Sequence, residues 1–198
     1  MLRDKPLHGL LAAFASPDPT PGGGSASAIA SAIGASLLLM VAALPKTRSG
    51  SDDDRTALAA AAAALTGVQQ QLAEAVDRDT AAYDQVVAAY KLPKGTDTEQ
   101  AARKAAIEHA LVGATEVPLS VMRLSAAALK QARVVGAHGH RAASSDVGVA
   151  AALLGAGFRG ARLNVEINLG GLKDAAYVDA LKREIARLET ATAEAAPE

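Results

Sequence analysis

Three groups of residues in this chain have types and spacings that chemistry can use. The first centres on Asp79. On a helical net, Leu65, Leu72, Asp79 and Val86 share one row at seven-residue spacing, and Val76, Tyr83 and Tyr90 share the adjacent row. A carboxylate therefore stands where a core residue belongs. Burying it unpaired is costly, so it is paired, protonated or turned to a cleft, and each of these makes it a candidate acid or base. The alternative is a slight turn of the helix that lets Asp79 reach solvent or a neighbouring Lys or Arg. Asp77 and Asp84 fall on another face and read as surface charges.

The second group is Pro19-Thr20-Pro21-Gly22-Gly23-Gly24-Ser25, which opens the small-residue run from Ala26 to Leu44. A glycine turn feeding a helix leaves the first backbone N–H groups unpaired, and the helix dipole favours negative charge there. An anionic ligand fits such an entrance, and so does a plain helix start with Ser25 in the first turn. The turn lacks the lysine of a phosphate-binding loop and does not follow a strand, which argues against a nucleotide. In the third group, Asn164 and Asn168 stand four apart on one helix face, and Asp146 falls on the same face five turns earlier. Buried amides need partners, either on other helices or on a heterocyclic ligand.

Other features exclude more than they suggest. His138 and His140 have no third ligand residue at a familiar spacing nearby, so no metal site is expected. With 20 basic and 21 acidic residues, the net charge of -1 gives no electrostatic basis for nucleic-acid binding. The absence of cysteine fits a reducing compartment, here the cytoplasm. The run from Ala26 to Leu44 is long enough to span a bilayer, but its serines and Gly34 dilute it, and a central buried helix is the expectation, with no membrane span.

The elements that must position these residues are all helical. Half of the 198 residues are hydrophobic, alanine is abundant and aromatics are few, which predicts an all-α bundle of about six or seven closely packed helices around a buried, small-residue-rich one. Residues 1–190 are expected to form a single domain, with 191–198 a frayed tail. Leu7, Leu10, Leu11 and Phe14 mark a short amphipathic helix, and the central helix covers Ala26 to Leu44. A long helix is expected from Asp53 to about Tyr90. Thr96 and Glu99 form a capping box for a helix from about Asp97 to Val112. Thr115 and Pro118 mark the start of another, from Val117 to about Val135, followed by a loop over Gly136 to His140. Ser144-Ser145-Asp146 reads as the cap of the next helix, and Asp174 as the cap of a last one through about Leu188.

Taken together, Pro19 to Ser25, Leu92-Pro93-Lys94, and Ser145-Asp146 with Asn164-Val165-Glu166-Ile167-Asn168-Leu169 resemble the cyclodeaminase/cyclohydrolase family of folate enzymes. The resemblance covers essentially Leu7 to Leu188 and includes Asp77-x-Asp79 followed by Tyr83. It implies an all-α homodimer with its pocket near the subunit boundary. It also implies a one-carbon derivative of tetrahydrofolate as substrate, with no further cofactor. The residue matching the family's catalytic aspartate is Asp79, and Lys94 joins it as a catalytic candidate. Pro21, Gly22, Gly23, Gly24 and Ser25 are expected to hold an anionic part of the ligand, with Lys46 and Tyr83 as further contacts. Asp146, Asn164 and Asn168 are expected at the polar pterin edge. The alternative is a helical oligomer that keeps the fold without turnover, but a purely structural helix would place Leu at position 79.

Overall fold

The structure, a computed structural model, describes residues 1–195. Six α-helices carry the chain: α1 (Leu7–Phe14), α2 (Gly23–Ala42), α3 (Asp52–Tyr90), α4 (Asp97–His138), α5 (Ser144–Leu169) and α6 (Ala175–Ala195). The all-α expectation holds. Short 3₁₀ turns at Leu2–Asp4 and Arg141–Ala143 complete the helical segments.

At the centre lies α2, packed against α3, α4 and α5. It runs antiparallel to α5 through interlocking small residues. A Cβ placed on Gly157 would collide with the Ser31 hydroxyl, and one on Gly160 would collide with that of Ser27. One on Gly34 would sit 2.8 Å from the Ala150 carbonyl oxygen. The serines in this seam are satisfied: Ser31 shares a 2.7 Å hydrogen bond with Ser125, and Ser27 donates to the Gly23 carbonyl at 2.6 Å. With a mean hydropathy of 1.9, α2 has the length and composition to cross a membrane, yet Gly24, Ser25, Ala28, Ala35, Leu38 and Val41 are buried inside the bundle.

At 39 and 42 residues, α3 and α4 are each about 60 Å long and form an antiparallel hairpin. The turn between them ends in the expected capping box, with Thr96 accepting from the Glu99 amide and Glu99 accepting from the Thr96 amide. Two expected boundaries are corrected. No break occurs between Val112 and Val117: α4 runs straight through Pro118, and the Thr115 hydroxyl donates to the Leu111 carbonyl within the helix at 2.7 Å. A mid-helix proline leaves the carbonyl four residues earlier without its amide. Here that carbonyl belongs to Ala114, and it accepts instead from Asn168 Nδ2 of α5 at 3.0 Å. Burial of Val117, Pro118, Leu119, Val121 and Met122 holds the segment helical.

Nor is Gly136 to His138 a loop. The helix continues because Arg48 satisfies its last carbonyls, through its amide to His138 at 2.7 Å and its guanidinium to Ala137 and Gly136. Beside this clasp, the buried Asp54 accepts from the Ser49 amide and hydroxyl and meets His138 Nδ1 at 2.8 Å, tying the start of α3 to the end of α4. Helix α5 starts at Ser144 without a side-chain cap, directly after the 3₁₀ turn. At the other end, Asp174 caps α6 by accepting from the Tyr177 amide. That helix extends to Ala195, through most of the expected tail, and 196–198 lie outside the described residues.

Candidate active site

Asp79 projects from the C-terminal third of α3 toward the first turn of α2. Its row mates Leu65 and Leu72 are fully buried, so the register points the carboxylate inward. What receives it is the glycine turn. The Ser25 hydroxyl lies 2.9 Å from Asp79 Oδ2 and 3.0 Å from the Val76 carbonyl oxygen. The Gly24 backbone lies so close to the carboxylate that any Cβ there would collide with it. Gly22 is the N-cap of α2, so the amides of Gly23, Gly24 and Ser25 have no partner within the helix. The anion at this helix N-terminus is thus the protein's own carboxylate.

Burial raises the Asp79 pKa above the ordinary value of 3.8, while the Ser25 hydroxyl and amide pull it down and do not fully compensate. A carboxylate raised in this way is a stronger proton acceptor than an exposed one.

One face of Asp79 opens on a cavity of about 350 Å³. Pro19, Thr20, Gly22, Gly23 and Gly24 form one wall, Asp79, Tyr83 and Val86 of α3 a second, Leu111 and Ala114 of α4 a third, and Asn164 and Asn168 of α5 the fourth. Both asparagines anchor one side-chain N–H on backbone, Asn164 on Gly160 at 2.9 Å and Asn168 on Ala114 at 3.0 Å. Their side-chain oxygens are left as the acceptors of this wall. A larger hollow of about 650 Å³ lies between α4, α5 and α6, but its carboxylate, Glu189, is already paired with Arg162. The smaller cavity, which holds the perturbed acid, is the candidate site.

Of the residues singled out in the sequence, Gly22, Gly23, Gly24, Asp79, Tyr83, Asn164 and Asn168 meet at this cavity. Ser25 is fully buried beneath it, where it contacts Asp79 and does not line the open space. Pro21 stands beside the lining residues and is not one of them. Lys94 lies just beyond the C-terminal end of α3, in a separate surface hollow with Gln100, Arg103 and Lys104. Lys46 is exposed in the α2–α3 connection. Asp146 shares a face with Asn164 but stands eighteen residues earlier on α5, about 27 Å along the axis. Leu111 and Ala114 were not singled out; Val86 was named only as a row mate of Asp79, and Pro118, which frees the carbonyl that holds Asn168, only as a helix start. The facing of α4 against α5 reveals the roles of Leu111, Ala114 and Pro118.

A family model for formiminotransferase-cyclodeaminase matches residues 6–187. The chain belongs to the formiminotransferase-cyclodeaminase family. It is 40% identical over 119 residues to a methenyltetrahydrofolate cyclohydrolase of Methylorubrum extorquens, a match covering 60% of this chain and 57% of that protein. It is 34% identical over 118 residues to the formimidoyltransferase-cyclodeaminase of Sus scrofa, covering 60% of this chain but 22% of that much longer protein. The fold is shared with the crystal structure of formiminotetrahydrofolate cyclodeaminase from Thermotoga maritima. That likeness has a TM-score of 0.86 and 24% identity over 98% of this chain and 93% of the other. The cavity at Asp79 therefore lies within the part of the chain that defines the family.

Proposed function

We propose that the protein is a folate one-carbon enzyme that acts on the methenyl or formimino group of tetrahydrofolate, with Asp79 moving the proton. The observation that carries this reading is the partly buried carboxyl held by Ser25 at the mouth of α2, in a cavity whose α5 wall carries the Asn164 and Asn168 amides. A pterin edge is rich in N–H donors, and the oxygens of Asn164 and Asn168 suit it.

Both reactions pass through a tetrahedral carbon between nitrogens. In hydrolysis of the methenyl group, water adds to the amidinium carbon and gives up a proton, and one ring nitrogen leaves carrying a proton, so that a formyl group remains. In cyclodeamination, N10 attacks the formimino carbon and loses its proton, and ammonia leaves carrying one. A single carboxyl that first accepts and then donates serves either sequence. The 40% identity to a cyclohydrolase supports hydrolysis as the reaction to test first.

The chain is proposed to work as a homodimer in the cytoplasm, with no resident cofactor. Along α2, Ala26, Ala30, Ile33, Leu37 and Met40 repeat at alternating four- and three-residue steps, and Ile33 is 48% exposed. Along α5, Val149, Leu153, Ala156, Leu163 and Ile167 follow the same rule once Gly160 fills the seven-residue gap after Ala156, and Leu163 and Ile167 are 66% and 78% exposed. Because the helices are antiparallel neighbours, the two stripes lie on one side of the pair and form a surface suited to a second copy. Its end at Ala26 and Ile167 borders the cavity.

The test is a near-ultraviolet assay with methenyl-tetrahydrofolate in one cuvette and formimino-tetrahydrofolate in another. Accelerated loss of the methenyl chromophore in the first identifies a cyclohydrolase, and its appearance in the second a cyclodeaminase. Absence of both overturns the reading.

A further inference from the structure

Ser25 has one hydroxyl hydrogen and two acceptors within reach of it, Val76 O at 3.0 Å and Asp79 Oδ2 at 2.9 Å. A single hydrogen cannot serve both at full strength. We propose that Ser25 is the positioning residue of Asp79: its hydroxyl turns between the two oxygens, so the carboxyl stays hydrogen-bonded both with its proton and without it. The ionised carboxylate accepts from the Ser25 hydroxyl. The protonated carboxyl donates to Ser25 Oγ, and the serine hydrogen swings to Val76 O. That carbonyl lies inside α3, where the Thr80 amide is its helical partner, so it is left satisfied when the hydrogen swings away. No group is stranded in either state, and no water has to enter a site where Ser25 is 0% exposed.

Apart from burial itself, this hydroxyl is the leading influence on the proton, ahead of the Ser25 amide. Among the described residues, the cavity walls from α2, α4 and α5 present no charged side chain to Asp79, and Tyr83 is the one other titratable group lining it. On α3 itself, Asp77 is turned to the N-terminal segment, accepting from the Leu2 amide at 2.5 Å and lying 3.4 Å from Arg3.

The inference rests on the proposed role of Asp79, so its test separates the two. In Ser25→Ala, the acidic limb of kcat against pH should move up by about one to two pH units, the effect of one hydrogen bond to a charged group, with KM changed less than twofold. An unmoved limb, while Asp79→Asn is inactive, overturns the role of Ser25 alone. Full activity in Asp79→Asn overturns the assignment of Asp79. The Asp79 carboxyl carbon, titrated by NMR in wild type and Ser25→Ala, reads the same shift without substrate, and an unchanged midpoint again overturns the proposal. Should Ser25→Ala fail to fold, Ser25→Cys, with its weak S–H donor, must move the midpoint in the same direction.

Discussion

Two buried or half-buried aspartates in this chain are displaced in opposite directions, and the contrast shows what each is for. Asp54 sits among donors: the Ser49 amide, His138 and the Ser49 hydroxyl hold its carboxyl well below the ordinary range. Asp79 has fewer donors and more burial, and is raised. For Asp79, an unfolded chain ionises near 3.8 while the folded chain still holds its proton, so stability falls as pH rises through that window and stays lower above it. Asp79→Asn should therefore melt at or above the wild-type temperature at pH 7, with the difference fading in acid. For Asp54 the sign reverses: its contribution is full above 3.8 and is lost as pH falls toward the lowered folded value. Asp54→Asn should melt below wild type at pH 7 and converge with it in acid, as thermal melts across pH would record. Asp79 was legible in the sequence because a carboxylate breaks an otherwise apolar row. Its serine partner was not, since nothing in a linear pattern says which helix end a mid-helix side chain will meet.

At the scale of elements, a residue that breaks helices in isolation here helps build the site. Pro118 removes one amide from α4, and the carbonyl it frees holds Asn168. Pro118→Ala would restore the amide to Ala114 and set Asn168 loose. The expected outcome is a KM for the folate raised about 3- to 10-fold, the equivalent of one neutral hydrogen bond, with an unchanged or higher melting temperature. Steady-state kinetics beside calorimetry would check both. The sequence read Pro118 as a helix start because local rules see only its own segment. The α2–α5 seam carries a second expectation. In Gly157→Ala the added methyl meets Ser31 and the Ser27 carbonyl oxygen, the latter at 2.6 Å, and backbone cannot step aside. A loss of about 1–3 kcal/mol is expected in denaturant unfolding.

The whole molecule explains which candidates come together and which do not. Helical periodicity reports which face a residue is on, so the all-α class, the central α2 and the pairing of Asn164 with Asn168 were all readable. A shared face is not a shared height: Asp146, on the right face of α5, stands eighteen residues and about 27 Å along the axis from Asn164. Lys94 and Lys46 sit in connections beyond helix ends and outside the cavity, which takes Asp79, Tyr83 and Val86 from the C-terminal third of α3. The exposed stripes on α2 and α5 give a prediction at this scale: Ile33→Glu combined with Leu163→Glu should convert a dimer to a monomer in light scattering, while circular dichroism stays helical. A wild-type chain that is already monomeric would remove the dimer.

The order of the helices along the chain also has a consequence for how the molecule forms. The α3–α4 hairpin closes over a six-residue connection, so its contacts are local and should appear early in folding. The seam between α2 and α5 joins segments about 115 to 135 residues apart, and its loop-closure entropy delays it. Asp79 belongs to the early hairpin, whereas the turn that receives it and the asparagines opposite belong to the late seam. A refolding chain should therefore recover its helical signal before it recovers turnover, and the lag between the two would time the docking of α2 against α5.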